Sequence, residues 1–180
     1  LLALSRETES PLKIDARNKE KFQAYRDQLN ANETELKTIL EKEKLLADVG
    51  QMHYIARWIT PLGSPRRFDA RFFIARIPSN QIPYHDDSEL VNSAWLTPAE
   101  ILERIELGEM VLMTVTERMI QSLALFDSAK QVIESSAQNL PDQRARVDSK
   151  TGKITMPGEA GYDEGLADVE TGWVRLRPTN

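Results

Sequence analysis

At 180 residues, with 41% hydrophobic and 28% charged side chains, the chain can bury one ordinary domain core and is not composed for wholesale disorder. A net charge of −5 argues against a broad basic surface for nucleic acid, and the absence of cysteine excludes disulfides, thiolate metal sites and a cysteine nucleophile. The apolar runs are far too short for a membrane span and the start has no signal-peptide pattern, so a reducing cytoplasm is the expected setting.

The chain opens Leu1-Leu2-Ala3-Leu4, an apolar end of the kind that finishes an element begun earlier, and Pro11 then breaks the backbone. A helix is expected from Asp15, with Phe22, Tyr25 and Leu29 on one face. Asn32, three residues before Glu35, suits an N-cap pair for a second helix carrying Leu36, Ile39 and Leu40, and Gly50 closes this part.

Residues 52–60 read as a strand, with Tyr54, Ala56 and Trp58 on one side and Ile55 and Ile59 on the other. Residues 60–65 are turn chemistry. Residues 66–77 alternate as the antiparallel partner. Phe68, Ala70, Phe72 and Ile74 point to a core; Arg67, Asp69 and Arg71 point away, before that second face turns apolar at Phe73. Pro65 and Pro78 bound the run.

Residues 79–88 form a polar loop holding His85, Asp86 and Asp87. Residues 89–96 are a third extended piece, running into Thr97-Pro98-Ala99-Glu100. This is a capping box with proline at the first helical position, followed by Ile101, Leu102 and Ile105 as the buried stripe. A second capping box at Thr114 and Glu117 predicts one helix to about Gln138, with Ile120, Leu123, Val132 and Ile133 inward. Beyond Pro141, residues 146–154 suggest a hairpin turning at 148–152, and residues 171–177 a final strand.

Trp58-Ile59-Thr60-Pro61, Pro65-Arg66-Arg67-Phe68-Asp69-Ala70-Arg71-Phe72-Phe73, Glu89 ahead of Ala94-Trp95-Leu96-Thr97-Pro98, and the two capped helices together resemble the Nudix hydrolases. Within that family the chain is similar to the branch that includes coenzyme A diphosphatases, and residues 154–162 add to the likeness. The resemblance covers roughly residues 1–163. It implies an α+β fold, a mixed sheet packed between helices as an incomplete α/β/α sandwich. Residues 1–140 would be the Nudix-like domain without its N-terminal strands, and 141–180 a C-terminal hairpin and tail. The implied activity is cleavage of a diphosphate bond in a nucleoside-diphosphate-linked, coenzyme A-like substrate, with Mg²⁺ or Mn²⁺ as cofactor.

The family's defining loop–helix box, whose glutamates hold the cation, is not in this sequence. Arg6-Glu7-Thr8-Glu9 imitates it but lacks the Glu-Glu pair and the glycine, and Pro11 breaks its register. Leu1-Leu2-Ala3 looks like the run that follows such a box. The expectation is therefore a substrate-side portion of a site, with no metal ligands of its own.

By this resemblance Arg66, Arg67, Asp69 and Arg71 are the candidate substrate-binding residues. Guanidinium groups hold phosphate oxygens by forked hydrogen bonds, and Asp69 would orient them. An ordinary solvated sheet face with cross-strand ion pairs fits the same alternation. Glu89 is the candidate catalytic residue, similar to glutamates outside the box that act as base; an exposed loop carboxylate is the competing reading. Trp58, Trp95, Phe68, Phe72 and Phe73 read as core rather than as stacking platforms. The expected partner is a nucleotide-linked small molecule, with no nucleic acid and no membrane. Self-pairing as a homodimer would cover apolar faces and strand edges that an incomplete sandwich exposes. A non-catalytic binding domain that kept the sheet and lost the box is the alternative.

Overall fold

Short-range capping and turn chemistry sets most of the elements, and the computed structural model shows where each lies. It describes residues 3–60, 62–78, 81, 83, 85, 90–148, 150–165 and 167–178. The chain divides into two units, Leu1–Met52 with Arg76–Ser93, and His53–Ala75 with Ala94–Asn180.

In the first unit, strand β1 (Ala3–Ser5) pairs antiparallel with β2 (Leu45–Ala47), and helices α1 (Lys19–Asn30) and α2 (Leu36–Lys42) lie between them in the chain. Helix α1 starts at Lys19 rather than Asp15, because the Asp15 carboxylate accepts the Arg17 N–H at 2.9 Å and the Asn18 amide oxygen accepts the Asp15 N–H at 2.9 Å. These local bonds hold the backbone in a turn instead. The expected Asn32–Glu35 cap is not formed: Glu35 stands at the N-cap of α2 without a side-chain bond. Asn32 instead takes φ 56°, the left-handed conformation that ends helices such as α1. Tyr25 is buried, and its hydroxyl donates to Glu43 at 2.7 Å. A short 3-10 turn, Val49–Gln51, closes this stretch.

The second unit holds strands β3 (His53–Ile59) and β4 (Asp69–Ile74), and helices α3 (Pro98–Glu106), α4 (Thr114–Leu123) and α5 (Ala129–Ala137). Strands β5 (Gln143–Val147), β6 (Ile154–Thr155) and β7 (Ala167–Val174) complete it. The sheet runs β4-β3-β7-β5-β6, and the pairings among the described residues are antiparallel. The fold class is α+β. The C-terminal strands belong to the same sheet as β3 and β4, and β7, last in the chain, sits at its centre. Ile55, Ala56 and Trp58 of β3, Val174 of β7 and Ala145 of β5 form the core with Met119 of α4 and Val132 of α5. Met156 and Leu176 join them.

The expected alternation along β3 breaks at one bulge. Tyr54 pairs with Phe73 and Ala56 with Phe72, so Ile55 is the extra residue and both Ile55 and Ala56 are buried. Tyr54 consequently shares a face with Arg57, not with Ala56 and Trp58. Phe68 was expected in the core and is 61% exposed, because β4 begins one residue later. Its N–H is instead held by the Thr60 hydroxyl at 3.0 Å. Trp95, also expected inside, is 73% exposed.

The Thr97 capping box forms as read. The Glu100 N–H donates to the Thr97 hydroxyl at 3.2 Å, and the Thr97 N–H donates to the Glu100 carboxylate at 2.6 Å. That bond holds the Glu100 carboxyl below the usual glutamate range. Thr97→Ala should lower stability by about 1 kcal/mol, read as a small drop in melting temperature, while Thr97→Ser should retain most of it.

The Thr114 box is absent: Met113 occupies the N-cap position with no side-chain bond, and the single predicted helix is two. Ser128 restarts the helix, its hydroxyl accepting the Gln131 N–H at 3.3 Å, a stronger local signal than continuation through Asp127. The predicted turn after β5 is present. The Asp148 carboxylate accepts the Lys150 and Thr151 N–H groups at 2.8 Å each. Among the described residues no helix is long and apolar enough to cross a membrane.

Candidate functional site

The sheet has a second face, opposite the buried side chains, and register alone decides what meets there. Arg71 of β4 pairs with Arg57 of β3, Arg57 with Trp173 of β7, and Trp173 with Arg144 of β5. Directly paired antiparallel residues project to the same side, so four strands carry a transverse row of arginine, arginine, tryptophan and arginine. Alongside it, the rings of Tyr54 and Phe73 meet edge to face with centroids 5.8 Å apart. A shallow, open cavity of ≈ 390 Å³ is lined by Tyr54, Arg57, Arg71, Phe73, Asp142 and Trp173.

Asp69 organises one end of the row. Its two carboxylate oxygens accept from Arg57 Nε at 2.8 Å and Arg57 Nη2 at 2.7 Å, a forked pair, while Arg71 Nη2 lies 3.7 Å away. The Arg57 bonds hold the Asp69 carboxyl below the ordinary aspartate range and push the Arg57 guanidinium up. At neutral pH the pair is fully ionised. Burial, and the charge of Asp142, push the Tyr54 phenol up, so its hydroxyl stays a neutral donor.

The predicted residues are distributed unevenly. Asp69 and Arg71 lie on this face. Arg67 does not join them: its Nε donates to the Thr60 carbonyl at 2.9 Å, fastening the loop between β3 and β4. Arg66 is exposed on that same loop. Glu89 falls outside the described residues, as do Asp86 and Asp87. His85 Nδ1 lies 3.1 Å from the Ser93 hydroxyl. Arg57 was missed although it sits between Ala56 and Trp58, where simple alternation places it opposite the core. Trp173, Arg144 and Arg175 were missed because only the central placement of β7 brings them to this face.

Among the described residues no group of three or more histidine, aspartate or glutamate side chains could hold a metal ion. Of the described residues on this face, Asp69 meets the guanidinium group of Arg57, and Asp142 that of Arg175, whose Nε lies 3.3 Å from it. A divalent cation needs several oxygen ligands, so the described residues do not fit one.

Residues 1–115 match the family model described as the NUDT19 Nudix domain. The acyl-coenzyme A diphosphatase NUDT19 of Xenopus laevis is 24% identical over 103 residues, 55% of this chain and 27% of that protein. A crystal structure of a Nudix hydrolase from Alicyclobacillus acidocaldarius aligns with a TM-score of 0.60 at 24% identity, over 74% of this chain and 58% of that one. The chain thus spans about a quarter of the curated relative's length and under two thirds of the solved one's.

Proposed function

This chain belongs to the Nudix family through its match to the NUDT19 Nudix domain, and from that premise we propose that it supplies the substrate-side face of a hydrolase. The bond cleaved is a diphosphate in a nucleoside-diphosphate-linked substrate of coenzyme A type. The observation that carries this reading is the open sheet face on which Arg57 and Arg71 flank Asp69 beside an aromatic-lined cavity.

A diphosphate laid on this face meets two guanidinium groups whose N–H donors match its oxygens in pairs. Asp69 holds Arg57 in place before substrate arrives, which reduces the ordering cost of binding. Arg71, farther from Asp69, is the group best able to turn toward a ligand. Tyr54, Phe73 and Trp173 provide an apolar floor that thins the water around those charges and strengthens the contacts. Glu89 is proposed as a proton acceptor, by likeness to glutamates outside the family's box. Mg²⁺ or Mn²⁺ supplies water activation in such enzymes.

In the full-length protein supplied with Mg²⁺ and coenzyme A, Arg71→Met should raise KM about tenfold, the cost of one charged hydrogen-bonding contact. The aliphatic stem is kept, so the melting temperature should hold. An unchanged KM would return Asp69 and Arg71 to the status of a solvated ion-paired face.

A further inference from the structure

We propose that this chain associates with a second copy of itself, the loop between β3 and β4 of one copy seating against the acidic C-terminal end of α3 in the other. Neither half of the contact uses the residues assigned to the diphosphate.

The loop is closed on itself. The Thr60 N–H donates to the Phe68 carbonyl at 2.9 Å, the Phe68 N–H to the Thr60 hydroxyl at 3.0 Å, and Arg67 Nε to the Thr60 carbonyl at 2.9 Å. What it presents to solvent is apolar and basic: Leu62 is 85% exposed, Phe68 is as open as noted above, and Arg66 is exposed beside it. From Thr60 to Phe68 the charged residues are Arg66 and Arg67, with no carboxylate. A loop fixed before contact loses little entropy on binding.

The end of α3 is the complement. The chain turns back at Gly108, φ 72°, where the Arg104 carbonyl accepts the Glu109 and Met110 N–H groups at 2.9 and 3.2 Å. Beyond that turn Val111 is 91% exposed and Met113 79%, and Leu107 stands exposed at the C-cap. Glu103, Glu106 and Glu109 are exposed along the same stretch. From Pro98 to Met113 one basic residue, Arg104, stands against four glutamates. The carbonyl end of a helix carries partial negative charge and ordinarily attracts cations, so carboxylates gathered there are unfavourably placed until a cation meets them. The Arg66 guanidinium of a second copy relieves that charge, while Leu62 and Phe68 cover Leu107, Val111 and Met113. Both halves lie on one polypeptide and match in sign and polarity, which makes a second copy the occupant. A two-fold pair forms the contact twice.

Sedimentation equilibrium of the 180-residue chain across a concentration series should show self-association with a dissociation constant on the order of 10–100 µM, as suits a small contact. Arg66→Glu in one variant, and Glu106→Lys with Glu109→Lys in another, should each weaken it about tenfold or more, because like charges then face each other. An equimolar mixture of the two variants should associate as the parent does, since every loop in a mixed pair meets a helix end of opposite sign. The exchanged residues are exposed, and circular dichroism checks that each variant is folded. A parent that stays monomeric throughout, association that survives in both variants, or a mixture that fails to recover it overturns the contact.

Discussion

Gly172→Ala should destabilise the sheet by about 2 kcal/mol, although alanine is ordinarily the better residue in a strand. Gly172 pairs with Trp58 across β3 and β7, and a Cβ built on it lies 2.4, 2.8 and 2.9 Å from three carbons of the Trp58 six-membered ring. Real Cβ contacts do not come so close, and the atoms met belong to a rigid ring that cannot give way by changing a terminal torsion. Trp58 is 5% exposed and surrounded by core side chains, so the indole can retreat only by disturbing Ile55, Met119 or Val132. Overpacking of this kind costs about 1–3 kcal/mol, against a gain of roughly 0.5–1 kcal/mol from replacing glycine, which places the net toward the upper part of the range when the neighbour is rigid. The melting temperature should fall by about 4–8 °C for a chain of this size, and Gly172→Val should be worse. Adding Trp58→Leu to Gly172→Ala should remove the clash and recover part of the loss relative to Trp58→Leu alone. A Gly172→Ala chain that melts at or above the parent would show that the indole does not lie against the β7 backbone.

What was legible from the residues divides by range. The α3 cap, the β3–β4 pair and the Asp148 turn each rest on a few neighbouring residues, and each formed. The Thr114 box rests on the same short pattern and failed, because the helix begins at Thr114 itself with Met113 at the N-cap position; the single helix expected beyond it splits where Ser128 caps a new one. The bulge at Ile55 has no glycine to announce it, and it reverses the facing of Tyr54 while leaving Ala56 and Trp58 in the core. Insertion of β7 between β3 and β5 is a non-local choice; a local pattern reveals that a strand exists but not which neighbours it takes. That division also explains the site. Asp69 and Arg71 alternate with Phe72 on one strand, so their shared face is legible locally, whereas Arg57, Trp173 and Arg144 become neighbours only through register across the sheet. Arg67 belongs to the same alternating run, yet lies one residue before Phe68, where the strand has given way to loop. The likeness of residues 154–162 to the family has a structural content of its own here. Met156 and Pro157 are fully buried, Gly158 takes φ 92° against Pro178, and Tyr162 is buried with its hydroxyl donating to the Arg144 carbonyl at 2.8 Å.

Glu159→Ala should be the most damaging single change in this segment, at about 3 kcal/mol. The Glu159 carboxylate pairs with the Arg118 guanidinium of α4, and the same oxygen accepts the Met156 N–H at 2.8 Å. One acidic group thus closes the turn after β6 and fastens it to the helix that covers the core. The two side chains are only 17% and 16% exposed, so deleting the carboxylate leaves a guanidinium largely out of water without its counter-charge. Breaking such a pair costs about 3–5 kcal/mol when burial is complete, and the residual exposure places this one at the low end. Gln121 also meets Arg118, through its amide oxygen, but a neutral dipole does not replace the lost charge. Glu159→Gln keeps an oxygen for Met156 and should lose less. Arg118→Met combined with Glu159→Gln should be milder than the sum of its parts, because removing both charges also removes the desolvation they required. The measurement is a double-mutant cycle by denaturant unfolding, with a coupling energy of about 1.5 kcal/mol or more expected. A coupling below about 0.5 kcal/mol would mean that the two groups act independently and that the turn is held by the burial of Met156 and Pro157 instead.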